Sequence, residues 1–600
     1  MPQSFMRFIA ILPGLILTTH VWARFSLGAG TVIAPGFIGN PDAYVRLERI
    51  RQLMVDGGWF ERVFQRVGMD DQLILHWTRP LDALVIVATW IAESFTTSPD
   101  PLMLAGTVIS LPAAWIALYL ASNLPSIAGE HRPMALGLTA LFISLLPYFY
   151  FVFIAQGWPD HHGLLLILFI LALLLGHNIL DQDSKRSAWG LGFVQALAIW
   201  ISPESLVSIG ALHIGFGLLW AMGLNKNVSR LVLRSTIALA LGVFAALWIE
   251  FGAISKLDLA LDRLSLFSLA LSLVLVGIWT SLYFLEKKVL TPVIRIFAGL
   301  ITSAIAAALL IALVPQAVHG PMAHADTWFV NVWTGVFSDG FTLGVSFGLI
   351  LCALSILIGV AMMIRSHGNN HVQLQASLAY ITPSLVLFCL LSWASSERWI
   401  TYAQLCAIPY LFAGFAKLWD HMSQRKNRIW VLIRPLSLFT ILGLASLNTV
   451  IAQVMYLNPK WNTTIDVYDK MKNMRCDIPK TVVQLHVLEQ DYGPQVILAH
   501  SNVTPTYLYH TNHRVLSVPI HPNADAVHDS VSALLSTEPD VPKDIAADVI
   551  VVCPVGPEMI AYQRNQETLH ARLSLGRSVP GMTLLYDLGA YEAKIYAIEK

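Results

Sequence analysis

The stretch Trp158-Pro159-Asp160-His161-His162-Gly163 sets one carboxylate and two imidazoles side by side, directly before an apolar run of about twenty residues. Ionisable groups at the mouth of a membrane helix are expensive to desolvate, which points to a function. Asp and His are also ligands for a divalent cation. The residues alone equally fit a helix start, with Pro159-Asp160 as the cap and the histidines at headgroup level.

Further candidates are scattered along the chain. Asp42 follows Asn40-Pro41, a cap and first-turn signal, and shares a helix face with Arg46 four residues on. It serves either as a site carboxylate or simply to complement a helix dipole. Glu204 sits in the tight Ser202-Pro203-Glu204 turn, where a solvated carboxylate is the alternative. His324 and Asp326 lie in an aromatic-rich loop, 316–340. Arg398, in Ser396-Glu397-Arg398-Trp399, is suited to gripping a phosphate with two donors, or to pairing with Glu397 or lipid headgroups.

The elements that must position these residues are membrane spans. Of the 600 residues, 56% are hydrophobic and 13% charged, which fits a polytopic α-helical membrane protein. The 38 basic and 38 acidic residues balance, so there is no electrostatic footprint for nucleic acid. The first segment, near 7–28, lacks a small-residue cleavage pattern and reads as a retained span. A polar first outer loop, 29–80, follows. The apolar piece 81–97 reads as re-entrant or interfacial, because Lys185-Arg186, Lys226, Lys287-Lys288, Arg365 and the cluster 417–434 then all fall on the cytoplasmic side. That arrangement predicts about thirteen transmembrane helices, an N-terminus inside and a C-terminus outside. Asp42, Asp160, Glu204, the loop 316–340, Arg398 and the tail then share the non-cytoplasmic face.

Two domains are expected: a transmembrane domain over 1–456 and an extracytoplasmic α/β domain over 457–600. In the tail, Val482-Val483-Gln484-Leu485, Val496-Ile497-Leu498 and Val549-Ile550-Val551-Val552 read as strands. Cys476 and Cys553 are free to pair there if the compartment is oxidising, whereas Cys352, Cys389 and Cys406 lie in apolar spans.

These pieces, in this order, resemble the GT-C superfamily of membrane glycosyltransferases, and more narrowly the catalytic subunit of oligosaccharyltransferases. The resemblance implies a metal-binding role for Asp42 in the first outer loop. It also matches Asp160-His161-His162 to the family's Asp-x-Asp or Asp-x-Glu pair, with His162 replacing the second acid. Arg398-Trp399-Ile400-Thr401-Tyr402-Ala403 is similar to the family segment whose arginine contacts the donor phosphate. The acceptor signature departs: Trp-Trp-Asp-Tyr-Gly is reduced to Gln490-Asp491-Tyr492-Gly493, leaving Asp491 and Tyr492 as weak candidates. The loop 316–340 contains no Glu, so His324, Asp326 or Glu204 would have to stand in for the family's outer-loop acid.

The expectation is therefore an inverting glycosyltransferase of a bacterial inner membrane with a periplasmic C-terminal domain. It would move a sugar or oligosaccharide from a polyprenyl phosphate or diphosphate to a glycan, lipid or protein acceptor. Asp42 and Asp160 would be catalytic. Asp42, Asp160, His161 and His162 would hold Mn²⁺ or Mg²⁺, a histidine favouring the former, and Arg398 would meet the donor phosphate. A flippase of lipid-linked sugars and a peptide oligosaccharyltransferase are the competing readings. Clean mid-span sequences and the absence of internal repeats count against a transporter.

Overall fold

A computed structural model of the chain describes residues 3–26, 41–69, 73–146, 149, 159–253, 258–286, 288, 291–319, 343–365, 369–394, 399–424, 477–538, 546–553, 565–589 and 592–599. The membrane part is a helical assembly: α1 (Gln3–Ser26), α2 (Pro41–Asp56), α3 (Arg79–Phe95), α4 (Pro101–Val108), α5 (Ser110–Ser122), α6 (Pro133–Ile143), α7 (His162–Gln182), α8 (Lys185–Ile201), α9 (Ser205–Met222) and α10 (Val228–Phe251). It continues with α11 (Leu266–Glu286), α12 (Pro292–Leu313), α13 (Leu343–Arg365), α14 (Asn369–Ala394) and α15 (Trp399–Gln424).

Among the described residues, nine helical segments are long and apolar enough to cross a membrane, fewer than the thirteen expected. Length explains part of the difference. The expected span 189–203 is the 17-residue α8, and the described part of 135–155 is the 11-residue α6. The expected span 435–455 lies outside the described residues. The piece 81–97 is the 17-residue α3, whose buried face carries Arg79 and Asp82 beside Leu81 and Val85.

Local signals set the helix ends. Ser184 accepts the Ser187 N–H at 3.1 Å to start α8, and Gly223 ends α9 at φ 68°, a conformation open to glycine. Gly192 lets α8 lie directly on α10, since a Cβ there would strike the Ser235 carbonyl.

The C-terminal unit is a mixed sheet with helices: α16 (Ile478–Tyr492), β1 (Val496–Ala499), α17 (Thr504–His510), β2 (Arg514–Val515), α18 (Ala524–Leu535), β3 (Val549–Val552), α19 (Leu569–Ser574), β4 (Met582–Asp587) and β5 (Lys594–Ile598). Strand order is β2-β1-β3-β5-β4, with β1 parallel to both neighbours and the β3–β5 and β5–β4 pairs antiparallel. The expected strand 482–485 is instead part of α16. Its buried Val482, Leu485 and Leu488 recur every three residues, and the Asp477 cap accepts the Lys480 N–H at 3.0 Å. Cys553 is disulfide-bonded, while Cys476 lies outside the described residues.

The segment between α2 and α3 does not stand apart from this unit. Phe64, Val67, Leu75 and Trp77 share a buried core with Leu485, Ile497, Tyr507, Val515 and Val549. Arg66 fixes the join: it donates to the carbonyls of Thr511 (2.7 Å), Leu508 (2.9 Å) and His513 (3.1 Å) and pairs with Glu48 at 2.7 Å. Arg51 adds a bond to the Tyr509 carbonyl at 2.6 Å, and the Tyr509 hydroxyl donates to Asp100 at 2.8 Å. Helix α2 is thus held between the C-terminal sheet domain and the membrane helices.

Candidate functional site

Three helix ends meet at the site. Helix α2 brings Asp42 in its first turn. Asp160 and His161 precede α7, which begins at His162. Glu204 caps α9 after a turn in which the Ser205 hydroxyl donates to the Ser202 carbonyl at 2.8 Å.

Asp160, His161 and His162 each offer a ligand atom within 4.8 Å of the other two. Nδ1 of His161 lies 3.0 Å from Oδ1 of Asp160. The two rings are 4.3 Å apart between centroids. Nε2 of His162 is 3.9 Å from Oδ2 of Asp160, and its Nδ1 is 3.5 Å from Oε2 of Glu204. Asp160 caps α7 only weakly, accepting the His162 N–H at 3.5 Å.

Electrostatics ties Asp42 to this group. Burial pushes its carboxyl up to about 7, and the charge of Asp160 adds to the rise, while His161 and Arg46 oppose it. Burial also pushes Asp160 up, but His162, His161 and Arg46 outweigh it and hold that carboxyl well below the ordinary range.

The donor set fits a divalent cation. The Asp160 carboxylate and the two imidazoles beside it are groups a cation would satisfy together. Imidazole nitrogens beside hard carboxylate oxygen suit Mn²⁺ or a similar borderline ion.

The other expected site residues fall elsewhere. Asp491 and Tyr492 close α16 on the exposed side of the C-terminal unit, where Asp491 accepts from the Tyr586 hydroxyl at 3.4 Å. Arg398, His324 and Asp326 lie outside the described residues.

Two arrangements join segments that are distant in the sequence. Asp82 on α3 receives Arg46 and Arg49, each at 3.1 Å, and Arg79 at 3.4 Å. Elsewhere, the His76 and His521 rings meet at a tilt of 48° with centroids 4.0 Å apart, and His521 Nε2 is 2.9 Å from Oδ2 of Asp262. Burial, with the His521 and His161 charges, pushes His76 well below the ordinary imidazole range. Three segments far apart in sequence make that contact, and only folding reveals it.

No family profile and no curated protein sequence matches the chain. Solved structures do. The archaeal oligosaccharyltransferase AglB from Archaeoglobus fulgidus, in complex with an inhibitory peptide and a dolichol-phosphate, superposes with a TM-score of 0.69 at 13% identity, over 96% of this chain and 79% of that one. The apo form of the Archaeoglobus fulgidus enzyme gives 0.68 at 12% identity, over 98% and 80%. Its complex with Zn and sulfate gives 0.60 at 13% identity, over 98% and 73%. At the level of fold, the chain is similar to these Archaeoglobus fulgidus oligosaccharyltransferase structures.

Proposed function

We propose that the chain is a membrane glycosyltransferase that moves a sugar or oligosaccharide from a polyprenyl phosphate or diphosphate to an acceptor on the non-cytoplasmic side. The observation that carries this reading is the meeting of Asp42, Asp160, His161, His162 and Glu204 at one cluster of helix ends, on an AglB-like fold. The AglB structure with dolichol-phosphate supports a lipid-linked phosphate as the donor class.

Asp42, Asp160, His162 and His161 are the residues that would hold a divalent cation. When bound, that cation supplies positive charge to the leaving phosphate. The protein's own part is positional. Helix α2, held on one side by the C-terminal unit and on the other by α3, presents Asp42 to the Asp160 group. Glu204 orients the His162 ring from the far side. Arg398, which directly precedes Trp399 in the sequence, is assigned to the donor phosphate, where a guanidinium matches two phosphate oxygens. A carboxylate of the cluster would take the proton of the acceptor.

Loss of the tryptophans from the Gln490-Asp491-Tyr492-Gly493 segment favours a glycan or lipid acceptor over a peptide sequon. We assign the chain to a bacterial inner membrane, with thirteen spans, the N-terminus cytoplasmic and the C-terminal domain, 457–600, periplasmic. The test is binding of a polyprenyl diphosphate analogue to the purified chain, with Mn²⁺ and with EDTA, for wild type and Asp160→Ala. Binding that requires both the metal and Asp160 supports the reading. Binding indifferent to both overturns it in favour of a transporter.

A further inference from the structure

The acids around the segment between α2 and α3 each have their donors. Asp82 gathers Arg46, Arg49 and Arg79. Asp258 takes Arg263 at 2.7 Å. Glu250 accepts the Arg79 backbone N–H at 3.1 Å and the Trp200 indole at 2.8 Å. Glu61 turns its Oε1 to the backbone N–H groups of Arg62 (2.9 Å) and Val63 (3.0 Å). The Arg62 side chain is different. Among the described residues, no carboxylate pairs with it and no acceptor takes its N–H groups. Its guanidinium lies 4.6 Å over the Phe251 ring instead. Burial, with the charges of Arg263 and Arg49, pushes its pKa below the ordinary guanidinium value, against the pull of Glu250 and Asp258.

The place of that contact limits what can reach it. Phe251 is the last residue of α10, a helix long and apolar enough to cross a membrane. Residues 59–62 are fastened across its end. The Trp59 indole donates to the Ile249 carbonyl at 2.9 Å, and the Phe60 ring lies so close to Gly252 that a Cβ there would meet its Cε1 at 2.8 Å. A span ends at the level of the lipid headgroups, where tryptophan is a common anchor. Arg62 lines a cleft there with Arg49 and Arg79. Asp56 and Glu61 line it too, but both are exposed to solvent, and Asp56 accepts from Gln65 at 3.4 Å. None of Asp160, His161, His162 and Glu204 lines this cleft. A half-buried fork of donors without an acceptor, at headgroup level, matches two oxygens of a phosphate.

We propose that Arg62 and the cleft it lines bind a phosphate oxyanion at the membrane surface. A phospholipid headgroup and free phosphate both carry that group, and the position over the end of α10 favours the headgroup.

The experiment titrates the detergent-solubilised full chain with dioctanoyl phosphatidylglycerol and counts bound lipid by native mass spectrometry. Dioctanoylglycerol, which lacks the phosphate, is the control, and inorganic phosphate is the competitor. The variants are Arg62→Gln, Arg62→Lys and Phe251→Leu. The expected result is one saturable lipid whose affinity falls about 10-fold or more in Arg62→Gln, the loss of hydrogen bonds to a charged group. Arg62→Lys, which keeps the charge without the fork, should fall between. Phe251→Leu, which keeps the guanidinium, should bind as wild type does. Lipid that resists inorganic phosphate identifies the headgroup as the source, and lipid displaced by inorganic phosphate supports the oxyanion site with soluble phosphate as its source. An Arg62 that serves only to stack on Phe251 would lower the melting temperature alike in Arg62→Gln and Phe251→Leu and leave lipid binding unchanged in both. That result overturns the proposal, as does binding of dioctanoylglycerol as tight as that of the phospholipid.

Discussion

Nδ1 of His162 lies 3.5 Å from Oε2 of Glu204, joining the start of α7 to the turn between α8 and α9. The opposite edge of the same ring places Nε2 3.9 Å from Asp160. A ring held this way presents one nitrogen to the carboxylate cluster and gives the other to an acid that fixes its tautomer, the arrangement common behind metal-bound histidines. Glu204→Gln keeps the size of the side chain and removes its charge. Mn²⁺ affinity should fall about 10- to 100-fold, with little change in thermal stability, as checked by metal titration alongside a melting curve.

The seat of the C-terminal unit should depend on Arg66. Its guanidinium satisfies three carbonyls around the end of α17 and the Glu48 carboxylate, whose side chain is 3% exposed. Arg66→Ala leaves that acid with Arg51 and the Gln52 amide and strands the carbonyls, a loss on the order of 2–3 kcal/mol. A lower melting temperature and faster proteolytic release of the 477–599 region are the expected outcomes. Arg66→Lys, which cannot fork to several acceptors, should recover only part of the loss.

His510 makes the same seam sensitive to acid. Its ring lies 5.5 Å from Tyr44 between centroids, and burial lowers its pKa to about 4. Because the folded value lies below the unfolded one of about 6.5, the unfolded chain binds the extra proton between those two values. Stability from this group is therefore complete above about pH 6.5 and lost as pH falls towards 4. Discounted for a half-buried ring, the loss is on the order of 1–2 kcal/mol. His510→Gln should flatten the melting temperature of the C-terminal unit between pH 6.5 and 4.5, and an unchanged slope would show that another group controls it.

Much of this architecture is legible in the sequence, for reasons that particular residues make plain. Asn40-Pro41-Asp42 marks the start of α2, and the apolar run after His162 can only be a membrane helix. The alternation of apolar runs and basic clusters, with the short motifs around Asp42 and Asp160, carries a resemblance that the fold comparison matches at 13% identity. What the sequence hides is set by contact between distant segments. Val482-Val483-Gln484-Leu485 looks like a strand because two β-branched residues open it, yet the wider spacing through Leu488 and the Asp477 cap make it helical. Arg79, three residues back on the same helix, is the partner of Asp82 that the sequence offers, whereas Arg46 and Arg49 reach it only when α2 folds against α3. The core shared by the first outer loop and the sheet could not be read from either segment alone.

The central claim is tested most directly by turnover. Lipid-linked sugars extracted from the source membranes, labelled in the sugar, are incubated with purified chain and an acceptor-containing envelope fraction, and release of label from the lipid is followed. The account predicts release that needs a divalent cation, stops with EDTA, and falls at least about 100-fold in both Asp42→Ala and Asp160→Ala, a loss comparable to removing a group that stabilises transition-state charge. Release at the wild-type rate in both variants, or unaffected by EDTA, would contradict it.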